Sequence, residues 1–160
     1  MLICGIDIGL DGAFSVIDDA GEVIAVHDMP TLAARSGNKR ELDLHALAAL
    51  LRSLAIDHAI VERVGARPQQ GVVSSFGFGQ SFGATLGILA CLNVPFSLVP
   101  PASWKRTLQV PKAKDAARHR ASQLLPRAAH WWPRAKDHGR AEASLLGYYG
   151  WRQLNHKGSR

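Results

Sequence analysis

Two acidic side chains stand in apolar segments of this sequence, where a charge is costly. Asp7 lies between two isoleucines, and Glu62 directly follows the apolar residues 59–61. Burying a lone ionised carboxylate is expensive, so each acid needs a partner or a task. Taken singly, either acid is better explained by pairing with Arg63 or another basic residue.

A third acid, Glu142, falls among small and apolar residues of a predicted helix. His138 lies four residues earlier, so the two side chains share one helix face, about 40° apart. Asp137 is rotated off that face unless it occupies the N-cap, where its carboxylate could either cap the helix or bind a metal. Taken alone, such a histidine is more often a surface or capping residue than a ligand.

Together these residues suit phosphodiester hydrolysis. If the strands that carry Asp7 and Glu62 are parallel neighbours, both carboxylates emerge at one edge of the sheet and repel each other unless a cation lies between them. Carboxylate oxygens with room for water suit Mg²⁺ or Mn²⁺. With Glu142 and His138 they would form a site for two ions, one to activate water and one to stabilise the leaving oxygen. A neutral His138 could instead position or deprotonate the water.

Hydrophobic periodicity predicts the elements that position these residues. Three β-branched segments joined by short turns predict an antiparallel meander, and a fourth, reached through a helix, is predicted to run parallel to the first. The predicted strands are 2–9, 13–17, 22–26, 58–62 and 96–99, and the predicted helices are 41–55, 75–92, 102–108, 113–125 and 138–152. Residues 27–40 and 64–73 are predicted loops. This order indicates an α/β fold with a mixed five-stranded sheet covered by helices, as one domain over 1–154 with a short tail, 155–160.

Composition is typical of a globular protein. The 160 residues are 47% apolar and 20% charged, which excludes a disordered chain. No window approaches the roughly 18 consecutive apolar residues that span a bilayer, and Asp7 stands too early for a secretory signal. Cys4 and Cys91 both lie in apolar segments, which favours buried free thiols in a reducing compartment. We therefore expect a cytoplasmic protein with no membrane partner.

Basic residues are concentrated in the C-terminal part. Residues 101–160 contain 13 Lys and Arg against 3 Asp and Glu, whereas residues 1–100 contain 6 against 10. A polyanion is the expected partner, because each neutralised phosphate releases counterions. A solvated basic surface is the alternative, and charge alone does not separate DNA from RNA or an acidic membrane. Lys112 and Lys114 stand at the predicted start of a helix, an unfavourable end for cations, which favours an external anion. The candidate DNA contacts are Arg67, Gln69, Gln70, Lys105, Lys112, Lys114, Arg118 and Arg140.

The predicted helix 75–92 carries two further features. Phe76, at its entrance, belongs either to the core or to a DNA-binding surface, where stacking on an unpaired base would contribute about 1–3 kcal/mol. Gly79, Gly83 and Gly87 recur at helical spacing. They permit close approach of another helix, either within the fold or across a dimer interface.

The combined motifs resemble the RuvC family of Holliday-junction resolvases, part of the ribonuclease H-like superfamily, over about residues 3–152. The motifs that carry the resemblance are Gly5-Ile6-Asp7-Ile8-Gly9, Val61-Glu62 and Asp137-His138-Gly139-Arg140-Ala141-Glu142-Ala143. Segments 62–71 and 98–105 are similar to the phage-type and chloroplast branches of that family.

The resemblance implies a Mg²⁺-dependent endonuclease, a homodimer that nicks two opposed strands of a four-way DNA junction with two Mg²⁺ in each active site. It implies Asp7, Glu62 and Glu142 as metal ligands. The usual fourth ligand is an Asp or His one turn before the last acid, but the residue three before Glu142 is Gly139, which cannot bind metal. His138 is therefore the expected fourth ligand, with Asp137 as the alternative.

Two other functions fit part of the pattern. A Gly-Ile-Asp-Ile-Gly segment followed by a hairpin also opens actin-like ATPases and sugar kinases, although these need two such domains and give Glu62 and Glu142 no role. A non-catalytic nucleic-acid-binding module would use the basic part alone. Cleavage with and without Mg²⁺ distinguishes the nuclease from the binding module, and ATP hydrolysis identifies the kinase.

Overall fold

A mixed five-stranded sheet forms the centre of the fold. The structure is a computed structural model that describes residues 1–33, 40–63, 65, 71–113 and 115–157. The strands are β1 (Ile3–Asp7), β2 (Ala13–Ile17), β3 (Val23–Asp28), β4 (Thr31–Ala33), β5 (Arg40–Leu42), β6 (His58–Glu62) and β7 (Phe96–Val99). The main sheet has the order β3-β2-β1-β6-β7, and a separate two-stranded sheet pairs β4 with β5.

The pairing of β1 with β6 determines where the acids emerge. β1 and β2, like β2 and β3, are antiparallel, whereas β6 runs parallel to β1 and to β7. This confirms the predicted meander, the parallel fourth strand and the five-stranded sheet. Ile6 lies opposite Val61, so the next residues, Asp7 and Glu62, leave the sheet at the same edge. Glu62 in turn lies opposite Val99 of β7.

Helices cover both faces of the sheet. They are α1 (Leu44–Ser53), α2 (Val72–Cys91), α3 (Pro101–Thr107), α4 (Ala116–Leu124) and α5 (His138–Lys157), with 3-10 turns at Pro126–Trp131 and Ala135–Asp137. Successive strand residues point to opposite faces, which divides the core into two clusters. Ile3 packs with residues of α4 and α5, whereas Cys4 and Ile6 pack with residues of α1 and α2.

α5 lies close to the sheet because glycines line the contact. A Cβ atom on Gly5 would lie 2.0 Å from the carbonyl oxygen of Ala143, and one on Gly147 would lie 2.8 Å from the side chain of Ile17. A larger residue at either position would push the helix outwards. The two glycines therefore hold the N-terminal half of α5 against β1 and β2.

α2 leaves much of its surface exposed. Thr85 and Leu89 are fully buried, but Val72, Val73 and Phe76 are 85%, 76% and 66% exposed. The core alternative for Phe76 is therefore wrong. By length and composition alone, α2 is the one described helix that could cross a membrane, which for a single helix is weak evidence.

The predicted loop at 27–40 is partly wrong. β3 extends to Asp28, and residues 31–33, also predicted as loop, form β4, which pairs antiparallel with β5 at residues 40–42. The helix predicted from residue 41 begins at Leu44, because residues 40–42 belong to β5 and the side chain of Asp43 accepts a hydrogen bond from the backbone N–H of Ala46. That contact is an N-cap.

Other helix boundaries also differ from prediction. α2 begins at Val72, three residues before its predicted start, so residues 72 and 73 of the predicted loop 64–73 are helical. The helix predicted over 113–125 begins at Ala116, after Asp115 in a left-handed conformation with φ of 61°. Lys112 therefore precedes the helix by a full turn, and the argument that places it at an unfavourable helix end is wrong. α5 continues to Lys157, three residues into the expected tail.

The two cysteines are both free thiols, but only one is buried. Cys4 is fully buried, and burial raises its pKa to about 12. Cys91, the last residue of α2, is exposed. The prediction that both thiols are buried is wrong for Cys91.

Candidate active site and nucleic-acid groove

The three predicted acids meet where β1 and β6 end. Asp7 and Glu62 are neighbours through the parallel pairing of their strands. Glu142 approaches from α5, whose first turn lies against the end of β1: a Cβ atom on Gly139 would be 3.3 Å from Oδ2 of Asp7. Residues far apart in the sequence are thus brought to one edge of the sheet, as predicted.

Gly139 stands at a position where only a glycine fits. A Cβ atom there would lie 2.4 Å from the carbonyl oxygen of Asp11, in the turn after β1. A side chain at this position would force the turn and α5 apart. Backbone therefore occupies the space that a side chain at position 139 would need.

The electrostatics of Asp7 reflect the other two acids. Its pKa lies well above the ordinary value, first because its carboxyl group is desolvated, and then because of the charges of Glu142 and Glu62, while Lys105 opposes the shift. A carboxylate in these surroundings is unfavourable in its charged form without a compensating cation. Glu62 and Glu142 therefore lie close enough to Asp7 to repel its charged form.

α3 contacts two of the acids through consecutive residues. Nε1 of Trp104 donates a hydrogen bond of 2.9 Å to Oε1 of Glu62. Nζ of Lys105 lies 3.3 Å from Oε1 of Glu142 and 5.0 Å from the centroid of the Trp104 ring, a cation–π distance. Sequence reasoning includes Lys105 only as a DNA contact and misses Trp104, which looks like an ordinary core aromatic.

Asp137 and His138, the alternative fourth ligands, have different surroundings. Asp137 is buried, and it accepts hydrogen bonds of 2.9–3.0 Å from the backbone N–H, Nε and Nη2 of Arg134. The hydrogen bonds from the Arg134 side chain are the main reason that the pKa of Asp137 is lowered to about 2. His138 is exposed at the start of α5 and lines the same groove as Glu142. The surroundings favour His138 as the ligand and give Asp137 a structural role.

The donor set fits a hard divalent cation in kind. Three carboxylates and an imidazole lie at one end of the sheet, and oxygen ligands of this type suit Mg²⁺ or Mn²⁺. Among the described residues, no three His, Cys, Asp or Glu side chains are arranged to hold a metal ion as they stand. A metal ion held by these residues would therefore need their side chains in another arrangement.

A groove of about 930 Å³ opens beside the acids and is strongly basic. His138, Glu142 and one further acid, Asp115, line it. The basic residues that line it are Lys105, Arg106, Lys112, Arg118 and Lys136. Arg106 and Lys136 are additions to the predicted set, and their positions next to Lys105 and Asp137 are the sequence signal that could have identified them.

Arg118, one of the residues that line this groove, has an unsatisfied donor. Its Nη1 donates to the carbonyl oxygen of Pro133 at 3.5 Å. Its Nε is buried without a hydrogen-bond partner, and in the described part of the chain no other buried side-chain nitrogen or oxygen lacks one. Such atoms are rare in folded proteins.

The remaining candidate DNA contacts fall into two groups. Arg140 binds Asp28 through two hydrogen bonds of 2.6 Å and donates to the carbonyl oxygen of Trp131 at 3.1 Å. It therefore joins α5 to β3, and a contact of Arg140 with DNA stays a prediction. The residues that lie outside the described part of the chain are Arg67, Gln69, Gln70 and Lys114.

No family model and no curated protein matches this sequence at a significant level. Solved structures match the fold. Thermus thermophilus RuvC, in complex with a Holliday junction substrate, has a TM-score of 0.70 at 16% identity, covering 97% of this chain and 96% of that chain. The fowlpox virus Holliday junction resolvase has a TM-score of 0.60 at 15% identity, covering 96% and 99%. The yeast mitochondrial Holliday junction resolvase Ydc2 has a TM-score of 0.56 at 17% identity, covering 96% and 80%. This chain therefore shares the fold of these Holliday junction resolvases.

The different surroundings of Asp137 and His138 generate a testable ranking. His138→Ala is expected to weaken Mn²⁺ binding by at least about tenfold with little change in thermal stability. Asp137→Ala removes the partner of Arg134 and is expected to destabilise the fold by about 0.5–2 kcal/mol, the usual range for a lost cap. Calorimetric Mn²⁺ titration and thermal unfolding measure the two effects. Lost Mn²⁺ binding in Asp137→Ala, with stability unchanged, would instead make Asp137 the ligand.

Proposed function

We propose that this protein is a metal-dependent endonuclease that resolves four-way DNA junctions by paired, symmetric nicks, within a single nuclease domain. The observation that carries the proposal is the meeting of Asp7, Glu62 and Glu142 beside a basic groove. The fold supports it, since similar structures include a RuvC and a fowlpox virus resolvase in complex with junction DNA. Neither a kinase nor a non-catalytic module gives Glu62 and Glu142 a task beside Asp7.

In the proposed site, Asp7, Glu62, Glu142 and His138 would hold two Mg²⁺ or Mn²⁺ ions. When bound, such cations would supply positive charge for a phosphate group and would lower the pKa of a bound water. As the alternative to binding metal, a neutral His138, exposed in the groove, could instead accept a proton from water. Lys105 neutralises Glu142 in the structure and, once released, reaches a neighbouring phosphate oxygen as a point charge.

The groove is the proposed path of the cleaved strand. Its five basic side chains leave an excess of positive charge next to Glu142, and they are suited to contact phosphate oxygens. Contacts of this type hold the DNA backbone in place without reading its sequence. We therefore expect recognition of branched DNA by shape.

Paired nicks need two active sites, and α2 is the proposed interface of a homodimer. Val72, Val73 and Phe76 expose apolar surface at its N-terminal end. Farther along, Cβ atoms on Gly79 and Gly83 would have no neighbour within 4 Å among the described residues. A flat apolar helix of this kind allows close approach of the same helix in a second copy. Where α2 meets DNA instead, Phe76 is the residue placed to stack on an unpaired base.

We place the activity in the cytoplasm of a bacterial or phage-infected cell.

Cleavage of a synthetic mobile four-way junction tests this function. With Mg²⁺ the protein is expected to produce paired symmetric nicks. Asp7→Asn is expected to slow nicking by more than about 100-fold, beyond the loss typical of changes outside the ligand set, while junction binding is retained. Asp19→Asn, at an exposed acid in the turn after β2, is the matched control and should cleave normally. Unimpaired nicking by Asp7→Asn would contradict the assignment, and binding without any nicking by the wild type would favour the non-catalytic module.

The salt dependence of junction binding tests the groove. Lys112 and Lys136 are both exposed and line it. Replacing both with Ala is expected to reduce the slope of log K against log salt by about 1.8, since each phosphate contact contributes about 0.9. Arg127→Ala removes an exposed cation that pairs with Glu22 outside the groove and should leave the slope unchanged. An unaltered slope in the double variant would place the strand elsewhere.

A further inference from the structure

The contact between Trp104 and Glu62 is unusual in its burial and direction. The Trp104 side chain is fully buried, yet its one polar atom donates to a carboxylate oxygen of Glu62 at 2.9 Å. A buried indole N–H needs an acceptor, but a backbone carbonyl would serve equally well. Here the acceptor is one of three acids crowded at the end of the sheet.

The position of Trp104 follows from the pairing of β6 with β7. Glu62 lies opposite Val99, and the backbone N–H of the next residue, Arg63, donates to the carbonyl oxygen of Val99 at 2.8 Å. The chain then enters α3 through Pro100 and Pro101. The same strand register that places Glu62 at the edge therefore brings the first turn of α3 over its carboxylate.

The indole ring itself is held rigidly. Trp104 belongs to a core cluster that includes Leu108 from the end of α3 and Leu145 from α5. A glutamate side chain has several rotatable bonds and loses much freedom when fixed, whereas a packed indole does not move. The hydrogen bond thus ties one oxygen of Glu62 to a side chain that is fixed in the core.

We propose that Trp104 is a positioning residue that fixes the carboxylate of Glu62 for a divalent cation. The proposal rests on the proposed function, in which Glu62 is a metal ligand. Outer partners that orient a ligand commonly change metal affinity by 10–100-fold when removed. The neighbouring Lys105 contacts Glu142, so two consecutive residues of α3 contact two different acids.

The test is direct Mn²⁺ binding without DNA, measured from the electron paramagnetic resonance signal of the free ion. Two variants remove the N–H group: Trp104→Phe, and the benzothienyl analogue of tryptophan at position 104, in which sulfur replaces the N–H at nearly constant shape. The second variant keeps the core filled if the first one unfolds. Trp132→Phe is the matched control, because Trp132 is also fully buried and donates to Ser122 at 3.0 Å.

Both position-104 variants are expected to bind Mn²⁺ about 10–100-fold more weakly than the wild type, and Trp132→Phe is expected to match the wild type. Saturating Mn²⁺ should restore junction cleavage in the analogue. An analogue that binds Mn²⁺ within twofold of the wild type overturns the positioning role while leaving the nuclease intact. A wild type that binds Mn²⁺ but does not cut junctions overturns the proposed function and leaves the positioning role standing. A wild type that binds no Mn²⁺ overturns both.

Discussion

Repulsion among three carboxylates is the constraint on which the candidate site depends. Asp7 is desolvated at the end of β1 with Glu62 and Glu142 nearby, and all three effects act in the same direction on its pKa. In the structure Lys105 offsets part of this charge by contacting Glu142. Lys105 opposes the shift only in part, because the pKa of Asp7 stays well above its ordinary value, so the surroundings of Asp7 favour further positive charge. The same repulsion among the carboxylates lowers the stability of the site and favours the binding of cations.

The fold maintains this arrangement through backbone contacts. Parallel pairing of β1 with β6 fixes Asp7 beside Glu62, because both residues end strands that are hydrogen-bonded to each other. Gly5 and Gly139 allow α5 to lie against β1 and the turn after it, which brings Glu142 to the same edge. Gly139 is therefore part of the construction of the site, and the adjacent His138 is exposed.

The sequence predicts the parts of the site that depend on strand order. Asp7 and Glu62 interrupt apolar strands, and a helical crossover forces those strands to be parallel, so their convergence follows from local pattern and topology. Side-chain partners do not follow in this way. The hydrogen bonds from Arg134 to Asp137 depend on the geometry of a 3-10 turn. The buried Trp104 looks in the sequence like any other core aromatic residue. The short strands β4 and β5 are missed for a related reason, because their polar segment carries no periodicity and they are defined only by pairing with each other.

Thermal unfolding of the wild type and Asp7→Asn in the presence of a chelator tests the central claim most directly. An acid whose pKa is raised by folding destabilises the folded state when it is ionised at neutral pH, so removing that charge should stabilise the protein. Asp7→Asn is predicted to unfold about 2–4 °C above the wild type, on the order of 1 kcal/mol for a chain of this size, and excess Mg²⁺ should stabilise the wild type alone. A midpoint below that of the wild type in chelator would show that the Asp7 carboxylate is stabilised by its surroundings, and the account would be contradicted.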